Sequence, residues 1–272
     1  MNSKALFLDL DGTLLDDRKQ ISAGNRAAIE KALQQGHRII IATGRPLVSA
    51  ILQAEALGMT GPGCYLIAYN GCVLYDMAAR SVIEASSLPL DIVFRVFEEA
   101  ARRGIHIQTY DASRVLVEPR CDNDIVRKYC SRILMDYSVI SDIHDLQREP
   151  EKMLLIDLHD QEPLNRMREW VTGWAGDQLD LYYSCDEYME IVGKGINKGN
   201  AVIRMAQMLG IDPECTYAAG DAANDLSMIR SARTGIAMAN ATDEVKAAAD
   251  YITERDNNHD GIAEVIEKLI LV

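Results

Sequence analysis

A chain of 272 residues, 48% of them hydrophobic and 25% charged, has apolar side chains enough for one large domain or two smaller ones. Its 28 Lys and Arg against 41 Asp and Glu leave a formal charge of −13, which excludes the broad cationic footprint that nucleic acid requires. The same excess repels phosphorylated molecules at long range, so any phosphate site has to be made positive locally.

In chain order, "ALFLDL" reads as a buried strand, followed by a helix that Ser22 caps and Gly36 ends. "RIIIATG" is a second continuous apolar strand, and Pro46 suits the first turn of a helix running to Gly58. "CYLIAY" is a third strand, closing at Asn70-Gly71, which reads first as a tight hairpin turn. Strands apolar at successive positions and separated by helices imply a parallel sheet covered on both faces. From about Ser86 the pattern changes. "LPLDIVFRVFEEAARRG" is an amphipathic helix, and "IHIQTYD", "RVLVEP", "EKMLLIDLHD" and "LDLYYSCDEYMEIVG" read as strands of a separate small sheet. A helix around "EPLNRMREWVTGW" falls among them, and Trp174, Tyr182 and Tyr183 are expected to pack on that sheet. The βα alternation returns with "NKGNAVIRMAQMLGI", "CTYAAG", "NDLSMIRSA", "GIAMAN", "YITE" and "GIAEVIEKLI". The expectation is an α/β, doubly wound parallel-sheet core over residues 1–85 and 189–272, with an inserted α+β domain over 86–188.

No stretch of about 18 apolar residues predicts a membrane span. Asp9 and Asp11 fall where a secretory signal would need its apolar core. The six cysteines, Cys64, Cys72, Cys121, Cys130, Cys185 and Cys215, form no C-x-x-C pair, and the five histidines stand apart from them. Reduced thiols in a cytoplasmic protein are the expectation, not disulfides or zinc.

Three apolar strands end in polar, glycine-rich tips: "DLDGT", "TGR" and "GDAAND". Tips of parallel strands point the same way, and ligands of open α/β sheets gather there. Asp9, Asp11, Asp221 and Asp225 would repel one another if clustered without a cation, and hard oxygen donors of this kind suit Mg²⁺. Asp11-Gly12 also reads as an ordinary turn. Thr43, Gly44 and Arg45 offer a hydroxyl, an accessible N–H and a forked cation to a phosphate; they equally read as a strand-to-helix turn with a surface charge. Lys198 opens a helix, where dipoles favour anions, so it calls for a carboxylate or anionic ligand beside it.

These residues together resemble the haloacid dehalogenase superfamily. "DLDGT" is similar to its first signature, D-x-D-x-T; Thr43 in "ATGR" to the second; Lys198 to the third; and "GDAAND" to the fourth, G-D-x-x-N-D, in the family's order. The insertion between the second and third resembles the α/β (C2-type) cap of the Cof-type sugar-phosphatase branch, as do "YNG", "MEIVGKGINKG" and "AMANA". The resemblance implies a Rossmann-like core with a cap that selects the substrate. It makes Asp9 the nucleophile that forms an aspartyl-phosphate, and Asp11 the acid for the leaving oxygen and then the base for water. Thr43, Gly44, Lys198 and Asn224 would hold the phosphoryl group, and Asp9, Asp221 and the backbone carbonyl of Asp11, with Asp225 nearby, would hold Mg²⁺. Asn240 also matches a recurrent family position, without an implied role, and Asn70 is a candidate substrate contact. A Mg²⁺-dependent phosphatase of small phosphorylated metabolites, sugar phosphates foremost, follows. A phosphosugar mutase using the same Asp pair and a non-catalytic phosphate sensor are the alternatives. No heptads or exposed apolar stripe indicate an oligomeric state.

Overall fold

The structure, a computed structural model, describes residues 3–272. β1 (Ala5–Leu8) is buried at every position, as a strand covered on both faces must be. The Ser22 hydroxyl accepts from the Asn25 N–H and caps α1 (Ala23–Gln34), which leads to β2 (Arg38–Ala42). α2 (Leu47–Ala56) starts directly after Pro46, and β3 (Cys64–Ala68) turns through Tyr69–Gly71 into β4 (Val73–Asp76) and β5 (Ser81–Ala85). The middle of the chain forms α3 (Leu90–Arg103), β6 (His106–Tyr110), β7 (Val115–Val117), α4 (Asp124–Ile133) and β8 (Tyr137–Val139). It continues with β9 (Met153–Ile156), α5 (Glu162–Ala175), β10 (Leu179–Cys185) and β11 (Tyr188–Gly193). α6 (Lys198–Met208), β12 (Thr216–Gly220), α7 (Leu226–Ser231), β13 (Thr234–Ala237), α8 (Asp243–Ala248), β14 (Tyr251–Ile252) and α9 (Gly261–Val265) complete the chain. Among the described residues no helix is long and apolar enough to cross a membrane.

Two compact units result. One comprises the chain up to Gly44, Ala50–Glu84 and Asn197–Val272; the other comprises Arg45–Ser49 and Ala85–Ile196. The first holds an eight-stranded sheet in the order β14-β13-β12-β1-β2-β3-β4-β5, parallel from β14 to β3 and antiparallel at β3–β4. The chain winds outward in both directions from the β1–β12 pair, which makes that pair the switch point where side chains from separate parts of the sequence meet. Phe7, Ile40 and Ile67 pack with Val202 and Met205 of α6 on one face of this sheet.

The second unit holds a six-stranded sheet in the order β10-β11-β9-β6-β7-β8. Ile107, Met153, Leu155 and Ile191 on one face pack against Val96 and Phe97 of α3 and Val171 of α5, with Trp174 and Tyr183 at the margin. Two features depart from the sequence expectations. The helix α4 was not anticipated in a segment dense in charged and polar residues, although Val126, Tyr129, Cys130 and Ile133 are buried at helical spacing and Asn123 caps it through the Ile125 N–H. The insertion also extends past the expected end at residue 188 to Ile196, because both partners of β11, β9 and β10, lie in the six-stranded sheet.

Candidate active site

Leu8 of β1 faces Ala219 of β12 in register, and the Asp9 N–H donates to the Ala219 carbonyl at 3.1 Å. The two strands therefore release their tips side by side. One carboxylate oxygen each from Asp9, Asp221 and Asp225 lies within 4.8 Å of the others. The ammonium of Lys198, 1% exposed, donates to Asp9 Oδ1 at 2.5 Å and to Asp225 Oδ1 at 2.7 Å. Lys198 is the first residue of α6, whose cap is the Asn197 side chain accepting from the Asn200 N–H. The mismatch between a cation and a helix N-terminus is thus resolved by two carboxylates.

One ammonium does not balance three carboxylates. Burial, and then the neighbouring Asp225, push the Asp9 carboxyl up to about 7 against the opposing pull of Lys198. Asp221 is raised to about 6, again by burial first and Asp225 second. Burial works against the charge of Lys198, but Asp225 and Asp9 outweigh it and hold the ammonium above its ordinary range. The cluster is short of positive charge, and burial together with that shortage makes two of its carboxyls resist ionisation.

The loops around it are built to bring these groups close. Asp225 uses its second oxygen to accept from the N–H groups of Asp221 at 3.0 Å and Ala222 at 3.2 Å, which folds "GDAAND" around its own carboxylate. Thr13 donates its hydroxyl to Asp221 Oδ1 at 2.9 Å. Gly12 has φ +84°, and a Cβ there would sit 2.4 Å from Asp221 Oδ2, so only glycine allows the approach. The Asp11-Gly12 turn and the carboxylate site are therefore one feature. Thr13 was missed by sequence reasoning as a partner of Asp221; its place in D-x-D-x-T was the available signal.

The remaining candidates fall as follows. Asp11 stands outside the three-carboxylate cluster, with its half-exposed side chain 2.8 Å from the Lys19 ammonium, yet near enough to contribute to the rise at Asp221. Thr43 is buried at the end of β2, its N–H donating to the Ile67 carbonyl at 2.8 Å, while its own carbonyl accepts from the Asn70 N–H at 3.0 Å. The Asn70 side chain is buried too, and a Cβ on Gly44 would come within 3.0 Å of its amide. Asn224 is half-buried in the single turn Ala223–Asp225. Arg45, also half-buried, belongs to the second unit. Asn240 donates its amide to the Gly12 carbonyl at 2.8 Å, so it touches the loop after β1.

Three hard oxygen donors gathered within 4.8 Å of one another are a fit for a small divalent cation and a poor one for a soft metal. A profile of haloacid dehalogenase-like hydrolases matches residues 6–266. The chain is 31% identical over 268 residues to the 5-amino-6-(5-phospho-D-ribitylamino)uracil phosphatase YcsE of Bacillus subtilis strain 168, covering 98% of this chain and 96% of that one. Among solved structures, a haloacid dehalogenase-like hydrolase from Bacteroides thetaiotaomicron aligns with a TM-score of 0.89 at 31% identity, over 98% of this chain and 100% of the other. A sugar phosphatase of subclass IIB aligns with a TM-score of 0.81 at 25% identity, over 99% of this chain and 100% of the other. The protein is a phosphatase, and the chain belongs to the haloacid dehalogenase-like hydrolases, in their Cof-type branch.

Proposed function

We propose that this phosphatase hydrolyses small phosphorylated metabolites, sugar phosphates foremost, with Mg²⁺ and through an aspartyl-phosphate on Asp9. The observation that carries this is the cluster of buried Asp9, Asp225 and Lys198 with half-buried Asp221 at the switch point of the sheet. Asp9, Asp221, Asp225 and the backbone carbonyl of Asp11 would hold the cation, which when bound offsets the negative charge of the carboxylates and the phosphate. An Asp9 oxygen bonds to phosphorus as the bond from phosphorus to the leaving oxygen breaks, and Asp11 gives that oxygen its proton. Asp11 then takes a proton from water, whose oxygen bonds to phosphorus as the Asp9–phosphorus bond breaks, and inorganic phosphate departs. The contact of Lys198 with Asp9 supports a role in neutralising charge around the transferring group, with Thr43, Gly44 and Asn224 as further phosphoryl contacts. The second unit has its own sheet and core, and the choice of substrate is assigned to it.

Two relatives support the substrate class: one is named for a phosphoribityl compound and the other for sugar phosphates. The test is a panel of phosphorylated metabolites assayed for released phosphate, in Mg²⁺ and in excess chelator. Release that depends on Mg²⁺ and is fastest with phosphosugars is expected. Equal rates in chelator would remove the metal. An isomerised phosphosugar without free phosphate would turn the enzyme into a mutase.

A further inference from the structure

The loop that follows Asp9 is held from a part of the chain more than two hundred residues away. Asn240 donates to the Gly12 carbonyl at 2.8 Å, and its own carbonyl oxygen accepts from the Asn257 N–H at 3.1 Å. Asn257, 4% exposed, donates its side-chain amide to the Leu15 carbonyl at 3.0 Å. Next to it, Asn258 accepts from the Asp17 N–H at 3.1 Å, and Asp260 accepts from the Ser22 hydroxyl at 2.5 Å. The two carbonyls so fixed, of Gly12 and Leu15, lie on either side of the turn that starts at Asp11, where Asp11 bridges to Leu15 and the Leu15 N–H donates to the Leu10 carbonyl at 2.9 Å. The Leu15 carbonyl, buried against Asn257, would without that donor favour a looser turn that lets water reach it.

We infer that Asn257, with Asn240, is a positioning residue: the two amides clamp the turn from Gly12 to Leu15 and so set where the Asp11 carboxyl stands. This rests on Asp11 serving as the acid of the first transfer. Neither asparagine touches the reacting atoms. The clamp matters most where the leaving oxygen is basic and needs its proton in the transition state, and least where the leaving group departs unaided.

The experiment compares kcat/KM, which reports transfer to Asp9, for an alkyl phosphate such as glycerol phosphate and for p-nitrophenyl phosphate, both at saturating Mg²⁺. In Asn257→Leu, which keeps the bulk and loses the donor without placing a second carboxylate beside Asp17, the ratio of the two constants is expected to shift about tenfold against the alkyl ester, the scale of one lost hydrogen bond in the barrier. The exposed Asn240→Ala should shift it in the same direction, and it decides the question if Asn257→Leu does not fold. Equal losses on both substrates, or an unchanged ratio, would reduce the clamp to a structural brace and overturn the inference. Asp11→Asn separates the two layers. If its own ratio does not shift, the acid role of Asp11 fails; if its ratio shifts and those of the asparagine variants do not, only the clamp fails.

Discussion

Each unit buries a lysine against acidic groups, and the two burials differ in their balance. In the second unit Lys152, 1% exposed, meets Glu190, 4% exposed, at 2.8 Å. One cation here faces one carboxylate, with the Tyr110 ring 5.5 Å from the ammonium and the hydroxyls of Tyr110 and Tyr129 2.6 Å apart. In the first unit Lys198 meets Asp9 and Asp225, with Asp221 beside them, and the surplus of negative charge raises Asp9 and Asp221. A balanced buried pair is a solution to a packing problem. An unbalanced one stores repulsion that folding alone would have no reason to keep, and such sites mark function.

The largest effect that could break this comparison is on turnover. Asp9→Asn should lower kcat by at least about 10⁴-fold, the scale of removing a nucleophile. Its melting temperature should not fall, because one of three mutually repelling carboxylates has gone; a marked fall would mean that the cluster stabilises the fold.

Next comes the balanced pair. Lys152→Met alone should destabilise by about 3–5 kcal/mol, by leaving Glu190 buried without its cation. Changing both, with Glu190→Leu added, should return stability to within about 1–2 kcal/mol of the parent. Chemical denaturation read by tryptophan fluorescence checks this in the right place, since both tryptophans, Trp170 and Trp174, lie on α5 of the second unit. No recovery in the double variant would show that the second lysine also does more than pack.

The two units should then respond to pH with opposite signs. His106 is buried, its Nε2 3.2 Å from the Gln108 carbonyl oxygen, and burial lowers it from 6.5 to about 4. The unfolded chain binds the extra proton between those values, so stability falls as pH drops through this window, by about 2 kcal/mol between pH 6.5 and 4.5. For Asp9, raised from 3.8 to about 7, the folded state binds the extra proton instead. Without metal, that contribution is lost as pH rises from about 4 to 7. Melting curves in chelator should therefore show a decline toward neutral pH that Asp9→Asn flattens. Added Mg²⁺ should abolish the decline and raise the melting temperature most at the higher pH, where the carboxylates are free of protons. A Mg²⁺ response identical at pH 5 and pH 7.5 would contradict the raised carboxylates.

Much of this could be read along the chain. The apolar strands with polar tips, "ALFL", "RIIIA" and "TYAAG", took their expected places, and Ser22, Pro46 and Gly104 mark the helix boundaries where their chemistry suits them. Lys198 was legible because a cation at a helix start demands an anion. Less visible were α4, whose polar surface hides a buried stripe, and the end of the insertion, which β11 carries past residue 188 by pairing with β9 and β10. Asn257 carried no local signal, since its carbonyl partner at Leu15 stands 242 positions away.

The sequence by itself determined that a parallel sheet would form and that carboxylates would crowd its tips, because side-chain period and turn chemistry act over a few residues. Only the tertiary structure decided which carboxylates share one site. Asp225 is drawn in by the N–H groups of its own loop, Asp11 turns toward Lys19, and Lys198 reaches Asp9 across 189 positions. Charge takes its meaning from the groups around it, and those neighbours are assembled by the fold.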